Sequence, residues 1–142
     1  MKAVVDNNLI VSGLLWDGLP SRLMEAVRDG RVQMVLSPEL YVELEDVLRR
    51  KKLTGRLAAR GTTPEKLLST IRAMAEMVFP EPLPLPPNLR DADDLAVLEC
   101  AVSARADVII TGDKDLLVLS PFSSIPIIKV RDALEKLGVS VE

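Results

Sequence analysis

Two runs, Asp94-Leu95-Ala96-Val97-Leu98-Glu99-Cys100-Ala101-Val102-Ser103-Ala104 and Asp107-Val108-Ile109-Ile110-Thr111-Gly112-Asp113, decide the fold class. Wound at about 100° per residue, the first run is apolar nearly all round. It predicts a helix over 94–104, buried on most faces, whose polar N-terminal end opens onto a site or a surface. The second is a short β-branched run closed by Thr111, Gly112 and Asp113, which predicts a strand over 107–111. The same alternation occupies the N-terminal half, where the pattern predicts strands over 2–5 and 32–36 and helices over 21–29 and 38–50. Strands that alternate with helices imply a parallel sheet covered on both faces, a three-layer α/β/α arrangement of Rossmann-like type.

Residues 53–60 and 64–76 carry helical patterns separated by Gly61, Thr62 and Thr63, and predict an inserted helical pair. Pro80 to Pro87 holds five prolines in eight residues, which excludes helix and central strand and predicts an extended connector over the surface. Neither flank of that connector is long enough for a second core, so 1–142 is expected to be one domain.

With 48% hydrophobic and 27% charged residues the chain can bury a core. The early apolar run Leu9 to Trp16 is interrupted by Ser12 and Gly13 and preceded by Asp6. It is too short to cross a bilayer and badly placed for a signal peptide, so no membrane association and a cytoplasmic location are expected. The single cysteine, Cys100, cannot form an internal disulfide and reads as a small core residue. Histidine is absent, which removes Ser-His-Asp and Cys-His nucleophiles, histidine general bases and histidine metal sites together. Catalysis must then use carboxylates, lysine or a metal. A net charge of −3 argues against broad basic binding to nucleic acid, although it leaves local charge open.

Acids recur where an open parallel sheet gathers them, at or beyond the carboxyl ends of strands. Asp6 ends the first apolar run and Asp113 the 107–111 run; either alone reads equally as a turn or helix-cap residue. Asp91, Asp93 and Asp94 open the buried helix, where the helix dipole favours acids and Asp91 suits the N-cap. On the helix after Ser37 the apolar stripe is Leu40, Leu44, Val47 and Leu48, and Glu43 lies at its edge while Glu39 and Glu45 lie further round. If these acids converge, each pair at about 5 Å repels by roughly 0.8 kcal/mol even in water. An all-oxygen set without histidine or cysteine suits Mg²⁺, Mn²⁺ or Ca²⁺ rather than zinc or copper.

Four segments in this order resemble the PIN-domain family, which includes the toxins of VapBC-type toxin–antitoxin pairs and related ribonucleases. They are Val4-Val5-Asp6-Asn7-Asn8-Leu9-Ile10-Val11-Ser12, Leu36-Ser37-Pro38-Glu39-Leu40 through Glu43-Leu44 to Val47-Leu48, Arg90-Asp91-Ala92-Asp93-Asp94, and Ile110-Thr111-Gly112-Asp113-Lys114-Asp115-Leu116. The resemblance covers nearly the whole chain. It implies an acidic quartet of Asp6, Glu43, Asp94 and Asp113, with Asn8 and Thr111 as polar support and Asp115 as a further acid. Asp93 competes with Asp94 for its place. Asn7 stands where members more often carry Thr or Ala, a departure outside the quartet.

The implied activity is that of an endoribonuclease using one or two Mg²⁺ or Mn²⁺ ions to hydrolyse RNA phosphodiesters, with an antitoxin protein as a partner and homodimerisation; Leu67, Leu68, Ile71 and Met74 are candidates for the interface, with core packing the alternative role for most of them. The alternative is a PIN-like subunit that binds RNA or protein with little or no nuclease activity. Arg49, Arg50, Lys51, Lys52, Arg56 and Arg60 place six positive charges in twelve acid-free residues, either a phosphate track or a solvated helix end. Aromatic residues are few, so base stacking is expected to be minor. Two other acidic-site classes fit poorly. A phosphoryl-accepting receiver domain wants an acidic cluster after the first strand, where only Asp6 stands, and an Asp-x-Asp phosphatase would need an acid at Asn8.

Overall fold

The computed structural model describes every residue except Asn88, Arg90 and Glu142, and leaves out the side chain of Ala92. Arg90, part of the third segment quoted above, thus lies outside the described residues. In chain order the elements are β1 (Lys2–Val5), α1 (Asn7–Leu15), α2 (Leu19–Arg28), β2 (Gln33–Leu36), α3 (Pro38–Leu48), α4 (Thr54–Ala59), α5 (Pro64–Met74), β3 (Ala75–Met77), α6 (Ala92–Ala104), β4 (Val108–Ile110), α7 (Lys114–Leu117), β5 (Ile127–Ile128) and α8 (Val130–Lys136). The sheet runs β3-β2-β1-β4-β5 with every neighbouring pair parallel, and the helices flank it.

The chain winds outward from β1 through β2 to β3, then returns to the other side of β1 for β4 and β5. The winding therefore reverses between β1 and β4, and in an open parallel sheet that reversal leaves a crevice beyond the strands' carboxyl ends. Ala3, Val4, Val5, Val108, Ile109 and Ile110 are all buried, as central strands covered on both faces require. Helix α6 packs on β1, β2 and β4, with Leu98, Cys100 and Ala101 fully buried. The reading of this helix as enclosed on most faces holds. Its N-terminal turn, carrying Asp93 and Asp94, comes to the crevice.

Several elements differ from expectation. The apolar run from Leu9, read only as too short to cross a bilayer, lies as far as Leu15 in helix α1, which buries Ile10, Val11 and Leu15 and is capped by Trp16. Gly13 lies inside it because α2 passes close by: a Cβ there would sit 2.5 Å from both Met24 Cγ and the Pro20 carbonyl oxygen. Gly13→Ala gains helix propensity worth about 0.5–1 kcal/mol. The clash with fixed backbone outweighs it, and a net loss of about 1–3 kcal/mol is expected, read as a lower urea midpoint at unchanged m-value.

Glu76, expected at the end of a helix, belongs instead to β3, paired opposite Val35 of β2. The expected helical pair is present as α4 and α5, and it lies in the crossover from β2 to β3. Strands β3 and β5 are three and two residues long, too short for alternation to register in sequence. Helices α7 and α8 were likewise not anticipated. The proline-rich connector behaves as expected: without helix or strand through Pro80 to Pro86, it crosses α6, where the Glu81 and Leu83 N–H groups donate to Ser103 Oγ (2.9 Å) and Glu99 Oε2 (2.8 Å). Of the residues named for an interface, Leu68 and Ile71 are core, and Leu67 and Met74 pack against it half-buried. Among the described residues no helix is long and apolar enough to cross a membrane.

Candidate metal centre

The crevice at the β1–β4 reversal is a cleft of about 200 Å³. Asp6, Glu43, Asp94 and Asp113 all line it, joined by Asp91 and Asp93 at the start of α6 and by Asn7, Asn8 and Arg50. The four acids come from four separate places in the chain: the end of β1, the middle of α3, the first turn of α6 and the end of β4. Asp115 does not line the cleft, but its carboxylate lies beside it. One ligand oxygen each from Asp94, Asp113 and Asp115 falls within 4.8 Å of the others.

Two of the acids also cap helices, so the ordinary reading of each was correct as far as it went. Asp6 Oδ1 accepts the Asn8 N–H at 2.9 Å at the start of α1, and Asp113 Oδ1 accepts the Asp115 N–H at 2.9 Å at the start of α7. Asp91 caps α6, as its position suggested. Thr111 ties the first two together. Fully buried, its hydroxyl donates to Asp6 Oδ2 at 2.7 Å and accepts the Asp113 N–H at 3.0 Å. Thr111→Val keeps the shape but strands both partners; it is expected to cost about 1–3 kcal/mol of stability and roughly 10–100-fold in Mn²⁺ affinity, measurable by denaturation and calorimetry.

Asn7, which the sequence marks only as a departure outside the quartet, is a buried polar residue of the site. Its Nδ2 donates to the Leu40 carbonyl at 2.9 Å and to Glu43 Oε1 at 3.3 Å, holding α3 against α1 and fixing the Glu43 carboxylate. Asn8, the expected support, is exposed; it contributes its backbone N–H to Asp6 and borders the cleft. The signal was available once residue 7 is taken as the start of a helix. Asn7, Ile10 and Val11 then share one face, i, i+3 and i+4, and that face is the buried one.

Asp94 is the electrostatic centre. It is only 9% exposed, its Oδ2 has no hydrogen-bond partner, and its carboxyl is pushed up to about 7. Burial is the main cause, followed by the facing charges of Asp113 and Asp91, a hydrogen bond with Asp113, and Asp6. Glu43 is also raised, first by burial; its bond from Asn7 opposes this, while Asp93, Asp6 and Asp91 add to it. Asp93 is exposed, which separates it from Asp94: both border the cleft, but Asp94 is the one grouped with Asp113 and Asp115.

Among the described residues the ion pairs join Arg49 to Glu45 and Glu65 and Arg60 to Asp17, and none reaches the cleft acids. Gathered carboxylates, an unpartnered buried Asp94 oxygen and an all-oxygen donor set together fit a hard divalent cation. Cys100 takes no part: it is buried on α6, and burial pushes its thiol up to about 12.

The basic block is divided by the fold. Arg49 is held by Glu45 and Glu65. Arg56 and Arg60 both donate through Nε to the Leu15 carbonyl, at 2.6 and 2.8 Å, and so clamp α4 to the end of α1. These three serve the scaffold. Arg50 borders the acidic cleft, Arg50 and Lys52 border a neighbouring groove, and Lys51 is exposed beside them.

Fold and site together define a doubly wound α/β protein with an acidic, cation-suited cleft at its switch point. The chain belongs to the PIN domain family, a family of nucleases, whose family model matches residues 2–115, from the first residue of β1 to Asp115. No sequence among the curated proteins matches it. Among solved structures, a chain in the crystal structure of VapBC2 from Rickettsia felis, bound to a DNA fragment from their promoter, is 12% identical with a TM-score of 0.58, covering 91% of this chain and 98% of that one. PAE2754 from Pyrobaculum aerophilum is 17% identical with a TM-score of 0.58, covering 96% of this chain and 88% of that one. At these identities the likeness is one of fold.

Proposed function

We propose that this PIN domain is a Mg²⁺- or Mn²⁺-dependent endoribonuclease, with Asp6, Glu43, Asp94 and Asp113 as its catalytic set and Asp115 as an additional ligand. The observation that carries the reading is the meeting of these acids around an unpartnered, buried Asp94 oxygen at the switch point of the sheet. Asp94, Asp113 and Asp115 would hold the cation. Its chemistry there is charge neutralisation at the phosphodiester and activation of water as nucleophile. Asp6, oriented by the Thr111 hydroxyl, completes the donor set, and Glu43, held by Asn7, orients the attacking water. Arg50 at the cleft border offsets phosphate charge.

We place the protein as the toxin of a toxin–antitoxin pair with an antitoxin protein as partner, a reading that the fold likeness to a VapBC2 chain supports; a homodimer is proposed from the family resemblance alone.

The test is calorimetric titration of Mn²⁺ into the wild type, Asp6→Asn and Asp113→Asn, with cleavage of a mixed single-stranded RNA pool followed on the same samples. Binding and cleavage lost together in both variants is the expected result. Metal binding with no cleavage of any RNA would turn the reading toward a binding subunit, and absence of specific metal binding would end it.

A further inference from the structure

Next to the acidic cleft lies a groove of about 360 Å³ bordered by Asn8, Trp16, Val47, Arg50, Lys52 and Leu53. Asn8, Val47 and Arg50 border both spaces, so the groove adjoins the cleft. The groove brings an exposed aromatic ring, Trp16, and a second cation, Lys52, beside Arg50 of the cleft border. Trp16 is an aromatic ring 40% exposed on a chain with only four aromatic residues. The backbone beneath it is anchored, the Trp16 main-chain N–H donating to the Ser12 carbonyl and the Leu15 carbonyl being gripped by Arg56 and Arg60, while the ring itself is held by the Arg56 guanidinium 5.2 Å from its centroid. Arg50 and Lys52, unlike Arg49, Arg56 and Arg60, have no ion pair or side-chain hydrogen bond among the described residues, and both face this groove.

The geometry points to a nucleotide subsite in this groove: Trp16 presents a stacking face to one base of a single-stranded RNA, and Arg50 and Lys52 hold the phosphates that connect it to the scissile bond in the acidic cleft. The groove's size lies in the range of small-ligand clefts, roughly 300–1,000 Å³. A rigid aromatic face beside unpaired cations is the combination that binds single strands without sequence readout. A duplex, whose bases are stacked on one another, cannot offer one to Trp16. Arg56 is a positioning residue, fixing the ring rather than touching the RNA. The inference rests on the reading of the cleft as a nuclease centre and assigns where its substrate lies.

Trp16 is the chain's only tryptophan, so its fluorescence reports the groove directly. The experiment titrates a single-stranded RNA decamer, without metal, into the wild type, Trp16→Phe, Trp16→Leu and Arg50→Gln/Lys52→Gln, with affinities for the two tryptophan variants read from a labelled decamer. Quenching of Trp16 is expected in the wild type. Trp16→Leu should weaken binding roughly tenfold, whereas Trp16→Phe, which keeps an aromatic face, restores most of it. The double variant should bind more weakly and lose about 1.4 units of salt slope, roughly 0.7 for each cation removed. With Mn²⁺ present, Trp16→Leu should raise KM for cleavage more than it lowers kcat. RNA binding that ignores Trp16→Leu overturns the subsite while leaving the nuclease reading intact if Asp113→Asn still abolishes cleavage. Equal quenching by duplex RNA, or by an acidic peptide but not by RNA, also overturns it. No binding and no cleavage by any form of the protein would remove both.

Discussion

Asp94→Asn is expected to abolish Mn²⁺ binding and RNA cleavage while raising the melting temperature of the metal-free protein. The two effects have one origin. Asp94 is buried with an unpartnered Oδ2 and faces Asp113, Asp91 and Asp6. Without a cation its ionised form is a net cost; with one it is a principal ligand. Outer partners of metal ligands are worth roughly 10–100-fold in affinity, so loss of a ligand at the centre should exceed about 100-fold in both binding and rate. Neutralising the same group removes an uncompensated buried charge, worth about 1–3 kcal/mol, and each kcal/mol moves the midpoint by about 2–4 °C in a chain of this size. The gain should be seen in EDTA at pH 8 and disappear at pH 5, where the wild-type carboxyl is itself protonated. A variant less stable than wild type in EDTA at pH 8 would mean that the carboxylate is satisfied by protein groups, and the site would lose its rationale as a cation cleft.

The second large effect is on pH. The Asp94 carboxyl stands at about 7 in the folded, metal-free protein, against an ordinary value of about 3.9 in the unfolded chain. Between those values the folded state binds the additional proton. The stability this contributes is full below about pH 4 and is lost as pH rises through about 7. Metal affinity follows the opposite course, because the cation must displace that proton. Affinity for Mn²⁺ is expected to fall about tenfold for each pH unit below about 7 and to level off above it, with close to one proton released per ion at pH 6. Glu43, raised in the same direction, steepens the fall at the acid end. Calorimetry in two buffers of different ionisation enthalpy counts the protons. An affinity that stays constant from pH 5.5 to 7.5 would exclude Asp94 as a ligand.

The sheet and much of the cleft were legible because their signals are local. β1, β2 and β4 are short apolar runs, α3 and α6 carry clear periodicity, and Asp6 and Asp113 stand directly after two of those strands. Glu43 could be picked over Glu39 and Glu45 on α3 because its angular position placed it at the edge of the apolar stripe, and it lies half-buried beside Asn7. What escaped notice was of another kind. Helix α1 was missed because Gly13 broke its pattern, and Gly13 is there for Met24 and Pro20 of α2, which lie elsewhere in sequence. Without α1, nothing in the sequence placed Asn7 on a buried face. The basic block looked uniform in sequence, and only the positions of Glu45, Glu65, Asp17 and the Leu15 carbonyl divided it into scaffold arginines and exposed cations.

By itself, then, the sequence determined the α/β class and the doubly covered sheet, and it pointed to the acids that line the cleft while leaving Asp93 and Asp94 as rivals, since side-chain period and residue type are properties of short segments. The order β3-β2-β1-β4-β5, the pairing of the brief strands β3 and β5, the Thr111 bridge, the burial that raises Asp94, and the groove beside Trp16 were decided only in three dimensions. Each depends on groups far apart in the chain, and neither desolvation nor the field of a facing carboxylate exists until folding brings them within a few ångströms of one another.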